Sequence, residues 1–145
     1  MLEKHFIYLT NQQLISVLAR AEKFGEPKVF ALNDAGKNEF DVYLGGMEKI
    51  PAYLLTDLIE EDFRSDTIPH VKPRDWLQLV ERKLSQTYRS TPYRHATAQG
   101  REAAGRRDDR VLYTAITNPD LLKPWVDLLI AHKIPLMGIY SAPLL

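Results

Sequence analysis

The chain has 145 residues, 45% of them hydrophobic and 26% charged, with 19 basic and 19 acidic side chains and no cysteine. That is material for about one globular domain with one sizeable core. It excludes disulfides and thiolate metal sites, and no apolar run approaches the roughly 20 residues that span a bilayer. The zero net charge is unevenly spread: residues 1–81 carry 9 Lys/Arg against 14 Asp/Glu, and residues 82–110 carry 8 against 3.

HFIYLT (5–10) and QLISVLARA (13–21) read as strands around an Asn-Gln turn, and KVFALN (28–33) as a third. Three short strands in succession predict an antiparallel meander. DAGKNEFDVYLGGM (34–47) predicts a short helix, with Asp34 as N-cap, Phe40, Tyr43 and Leu44 on one face, and the glycines at 45–46 ending it. PAYLLTD (51–57) is nearly all apolar and reads as a central buried strand. DFRSDTI (62–68) alternates Phe63, Ser65 and Thr67 against Asp62, Arg64 and Asp66, which predicts a partly exposed strand stopped by Pro69.

PRDWLQLVERKLSQTYR (73–89) is the clearest helix. Pro73 suits its first turn, Asp75 its positive end, and Trp76/Leu77, Val80, Leu84 and Tyr88 form an apolar stripe. YRHATAQ (93–99) and DRVLYTAIT (109–117) read as a hairpin around a loop with two glycines. Asn118-Pro119 opens a last helix to about Lys133, with Leu122, Trp125, Val126 and Leu129 facing inward. Pro124 either kinks it or marks its true start. IPLMGIYS (134–141) is a final strand. The order β-β-β-α-β-β-α-β-β-α-β predicts an α/β fold with a mixed sheet, as a single domain over 1–145. The apolar ending SAPLL fits the N-terminal part of a longer polypeptide.

Five carboxylates in ten residues follow the central strand: Asp57, Glu60, Glu61, Asp62 and Asp66. Two-metal nucleases gather carboxylates from several strands around divalent cations. On that reading Asp57, Glu60, Glu61 and Asp109 are the ligands, with Asp108 a further candidate. The first strand contributes no acid, however, and Glu60–Asp62 fall in a connection, where acids are usually just solvated. The histidines His5, His70, His95 and His132 form no H-E-x-x-H or H-x-x-x-H spacing. His70, at a strand end, is placed to hydrogen-bond Asp57 or Asp66. G-x-S-x-G, Walker and G-x-G-x-x-G patterns are absent.

The second cluster is GRRDDR (105–110). Arg106, Arg107 and Arg110, with Arg101 nearby, either clamp a phosphate or pair with acids at a docking surface. Tyr88 and Tyr93 interleave with Arg89 and Arg94, as in single-stranded nucleic-acid binders. Tyr88 lies on the helix's apolar face, which argues against that use.

AYLLTDLIEEDFRSDTIP resembles a strand–turn–strand unit ending in proline, PRDWLQLVERKLSQ the helix after it, and DRVLYTAITNPDLLKPWVDLLIAHKIPLMGIYSAPL a strand, helix and short strand. Together they are similar to one lobe of the actin-like, RNase-H-like fold. Within that fold the chain resembles the cytoplasmic domain of the type II secretion platform L proteins and the actin-like proteins of pilus assembly. It also resembles a group of uncharacterised bacterial proteins with DLIEEDFR, IPH, RRDD and TNP segments. Actin-like ATPases carry an Asp at the end of the first strand and a Gly-rich turn that approaches phosphate. Here that stretch is YLTNQQL, with neither acid nor glycine. The resemblance therefore implies a non-catalytic, cytoplasmic docking domain without a cofactor, set in an inner-membrane-associated assembly. A protein partner or a second copy would bind at a sheet edge or at the basic hairpin. The alternatives are a divalent-metal nuclease or phosphotransferase of the same fold, and single-stranded nucleic-acid binding through Arg89, Arg94, Arg106 and Arg107.

Overall fold

Alternating apolar and polar residues give the first strand two unlike faces. In the computed structural model, which describes residues 2–101 and 108–145, β1 (Glu3–Thr10) buries His5, Ile7 and Leu9 on one face and leaves Phe6 and Tyr8 half-buried on the other. β2 (Gln13–Arg20) returns antiparallel, with Leu14 opposite Leu9. A hairpin at Ala21 and Glu22 then starts β3 (Lys23–Phe24), a two-residue strand missing from the sequence reading. Both hairpin residues have positive φ, 50° and 65°. Turns of this kind normally use Asn-Gly, so Ala-Glu gave no signal. β4 (Lys28–Ala31) pairs with the start of β2.

Helix α1 (Asp34–Gly45) is capped one residue earlier than expected. The Asn33 side chain accepts from the Gly36 amide at 2.8 Å, and Asp34 is inside the first turn. β5 (Ala52–Asp57) lies parallel to β1 inside the sheet, paired on both sides, as its apolar run implied. After a 3₁₀ turn at Pro119–Leu121, helix α3 (Lys123–Ala131) leads to β9 (Leu136–Ser141), parallel to β5. Pro124 stands in the first turn of α3, so it marks a start and not a kink.

These elements form one compact unit, Met1–Ile59 with Asp120–Leu145. Its mixed sheet runs β3-β2-β1-β5-β9, with β4 beside β2. Both parallel crossovers, β1 to β5 and β5 to β9, step the same way across the sheet, and crossovers of one hand put their helices on one face. Phe30 of β4 meets Phe40 of α1 at 5.1 Å, and Phe40 meets Trp125 of α3 edge-on at 5.5 Å. Ile7, Leu14, Leu54, Leu122 and Leu129 complete this core.

The second unit, Glu60–Pro119, is a smaller α/β layer. β6 (Glu61–Pro69), β8 (Asp108–Ile116) and β7 (Arg94–Arg101) form an antiparallel sheet in that order. Helix α2 (Pro73–Thr87) contributes Val80 and Leu84, with Tyr88 after its last turn, to a core with Ile68, Val111, Tyr113 and Ala115. Trp76 and Leu79 pack against that core, whereas Leu77, expected in the stripe, is 63% exposed.

Candidate functional site

The β1–β2 turn, which carries neither an acid nor a glycine, bonds its own polar groups. Thr10 Oγ1 accepts from the amides of Gln12 and Gln13, at 3.1 and 3.3 Å, and donates to the Gln13 carbonyl. Asn11 Oδ1 accepts from the Ile59 amide at 2.8 Å. Two amides that a phosphate-cradling turn would aim outward are thus spent on a side chain of the turn itself. Asp57, at the end of β5 opposite Thr10, accepts from the Tyr8 hydroxyl at 2.9 Å.

The remaining carboxylates belong to the second unit. Glu60 gives its backbone carbonyl to the Thr117 amide and hydroxyl, at 2.8 and 2.9 Å. Glu61 lies opposite Ile116, while Asp109 lies opposite Ile68, seven residues along β6 and therefore roughly 23 Å away. Glu61 and Asp109 cannot share an ion across that length. Among the described residues no three His, Cys, Asp or Glu side chains are grouped to hold a metal. Asp62, expected to be solvated, and Asp66, expected on a partly exposed strand, both face α2. Asp62 accepts from the Tyr88 hydroxyl at 2.8 Å and from Arg64 Nε at 2.7 Å, and Asp66 pairs with Lys83 at 3.1 Å. The Tyr88 bond and then Arg64 hold the Asp62 carboxyl below the usual range. Burial, followed by Asp62, pushes the Tyr88 phenol up to about 12.

Of the arginines named for docking, Arg106 and Arg107 lie outside the described residues. Arg101, at the end of β7, donates to His70 Nε2 at 3.1 Å, and His70 Nδ1 bonds Asp109 at 2.9 Å. His70 thus finds Asp109, not Asp57 or Asp66. Arg110 stands on β8 opposite Thr67 and is exposed. Arg94 donates to Glu81, Ser85 and the Tyr88 carbonyl, tying β7 to α2. This arginine is engaged within the unit and is not held out for a nucleic acid.

Two features had no counterpart in the sequence reading. The first is buried: His5 Nε2 and Ser16 Oγ are 2.5 Å apart, and Ser16 donates to the Tyr43 hydroxyl at 3.2 Å. With its proton given to Tyr43, Ser16 accepts from His5 Nε2–H. His5 and Ser16 are 0% and 1% exposed, so this pair holds β1 to β2 and meets no substrate. Burial takes the His5 pKa down to about 4. The second is a groove of about 520 Å³ between β4 and α1, lined by Lys28, Val29, Phe30, Asn38, Glu39, Val42 and Tyr43. Val29 and Val42, apolar and outside the predicted core faces, are 56% and 78% exposed. Their positions were the available signal.

No family model and no curated protein matches the chain. Solved structures do. The cytoplasmic domain of EpsL, an inner membrane component of the type II secretion system of Vibrio cholerae, matches with a TM-score of 0.54 at 15% identity, over 96% of this chain and 57% of that one. The PilM-PilN type IV pilus biogenesis complex matches with a TM-score of 0.58 at 11% identity, over 94% of this chain and 46% of that one. The chain thus spans about half the length of these structures. At these identities the likeness is one of fold, and the fold is the mixed α/β lobe of actin-like proteins that the sequence resemblance implied.

Proposed function

We propose that the chain is a non-catalytic docking domain of actin-like fold, which binds a protein partner in an envelope secretion or pilus-assembly machine. The observation that carries this reading is the β1–β2 turn. Thr10 Oγ1 occupies the Gln12 and Gln13 amides, and Asn11 is bonded to Ile59. Tight phosphate binding needs backbone N–H groups free to point at the anion and a carboxylate to hold its cation. This turn supplies neither a glycine nor an acid. The structural neighbours, an inner membrane component of a secretion system and a pilus biogenesis complex, support the assembly setting.

Isothermal titration with ATP and magnesium tests the reading. No saturable heat is expected up to millimolar nucleotide, and no phosphate release. Binding abolished by Thr10→Val would overturn it. Manganese titrated without nucleotide addresses the metal-nuclease alternative: tight binding lost in Asp57→Asn would favour that chemistry instead.

A further inference from the structure

We propose that the groove between β4 and α1 takes an extended peptide of a partner protein by strand addition. β4 pairs with β2 on one side, and among the described residues no strand pairs with its other side. An edge strand offers a row of backbone donors and acceptors, which selects an extended main chain over any other occupant. The helix makes this edge a groove. Asn38, Glu39 and Val42 of α1 form one wall, and Lys28, Val29 and Phe30 of β4 form the other. Its volume of about 520 Å³ is in the range of ligand clefts.

The walls state what the peptide must look like. Lys28 lies over the Tyr43 ring at 4.9 Å, and Phe30 lies against Phe40 at 5.1 Å, so α1 runs back along β4. Lys28 therefore marks one end of the groove and Glu39 stands toward the other. A complementary peptide carries an acidic group at the Lys28 end and a basic one toward Glu39. Between them, side chains alternate, one set apolar toward exposed Val42 on the α1 side and the next toward exposed Val29, which leaves β4 at its edge toward the other sheet face. The four residues of β4 fix a contact about 13 Å long.

This proposal rests on the docking reading, and the nucleotide titration tests that reading separately. The experiment is selection of a random dodecapeptide phage library on the intact protein, followed by amide chemical-shift mapping with the synthesised peptides. Expected are extended sequences with alternating apolar residues, and shifts confined to residues 28–31 and 38–43. Val42→Asp should weaken binding about tenfold, the loss of roughly one buried valine contact, without changing the thermal midpoint. Glu39→Lys should change the preferred charge at its end and alter affinity about threefold. A library without binders, shifts elsewhere, or helical selected peptides would overturn the proposal. So would a dimer dispersed by Val42→Asp in sedimentation, because the groove would then belong to a second copy.

Discussion

His5 stands on the helix-covered face of the larger sheet, fully buried, and its Nδ1 has no hydrogen-bond partner among the described residues. A cation there would lose its hydration, so the imidazole stays neutral down to about pH 4. The unfolded chain protonates the same ring near pH 6.5, so between these values the unfolded state holds more protons and stability rises with pH. At 1.36 kcal/mol per unit the difference amounts to roughly 3 kcal/mol. We predict that urea unfolding measured at pH 7 and at pH 4.5 differs by most of that amount, the lower pH being less stable. His5→Gln should flatten the dependence while costing stability at pH 7. An NMR titration placing His5 near pH 6.5 would contradict this. Asp62 adds a separate loss at lower pH, since a carboxyl held below its usual range gives up stability only as it is protonated.

Strand β4 and helix α1 owe their close approach to Gly36. A Cβ on this residue would fall 1.8 Å from the Ala31 carbonyl oxygen, against backbone that cannot rotate away. Alanine would raise helix propensity by about 1 kcal/mol, but the clash must lift the first turn of α1 off β4, and overpacking of this kind costs about 1–3 kcal/mol or more. Gly36→Ala is therefore expected to destabilise the fold by up to about 2 kcal/mol net. Asn38→Ala on the exposed face of the same helix should gain a few tenths. Denaturant midpoints of the two variants check the contrast, and a stabilised Gly36→Ala would refute the packing. The elements themselves were legible because their signals are local. The apolar run 51–57 was an interior strand, and Trp125, Val126 and Leu129 were the buried face of α3, with Leu122 buried just before it. Tertiary placement was not legible. Asp62 looked solvated and Asp66 partly exposed, yet β6 edges its sheet, so both reach the flank of α2 and bond Tyr88 and Lys83. The groove was hidden for the same reason: Val29 and Val42 are thirteen positions apart and share it only once α1 folds back on β4.

The second unit enters the chain between β5 and α3, and it leaves where it entered. The Glu60 carbonyl accepts from Thr117 at 2.8 Å, so the two ends of the insertion lie side by side. A unit with adjacent ends and its own core is built like a domain insertion, a form that tolerates removal. Its core of Ile68, Val80, Leu84, Tyr88, Val111, Tyr113 and Ala115 lies entirely within residues 60–119. The remaining chain keeps the five-strand path, β4 and both of its helices, including the Phe30–Phe40–Trp125 aromatic contacts. We predict that joining Ile59 to Asp120 through a Gly-Gly-Ser linker leaves a cooperatively folding protein. Loop-closure entropy changes little, because a short linker replaces ends already in contact. The near-ultraviolet signal of Trp125 should persist and melt in one transition, and peptides selected for the β4–α1 groove should bind as they do to the full chain. The excised 60-residue piece has a small core, and domains of that size bury only about 60% of their unfolded surface, so it should fold with markedly lower stability. A shortened chain lacking fixed tertiary signals would mean that the larger sheet depends on its insertion, and the two units would then have to be treated as one folding body.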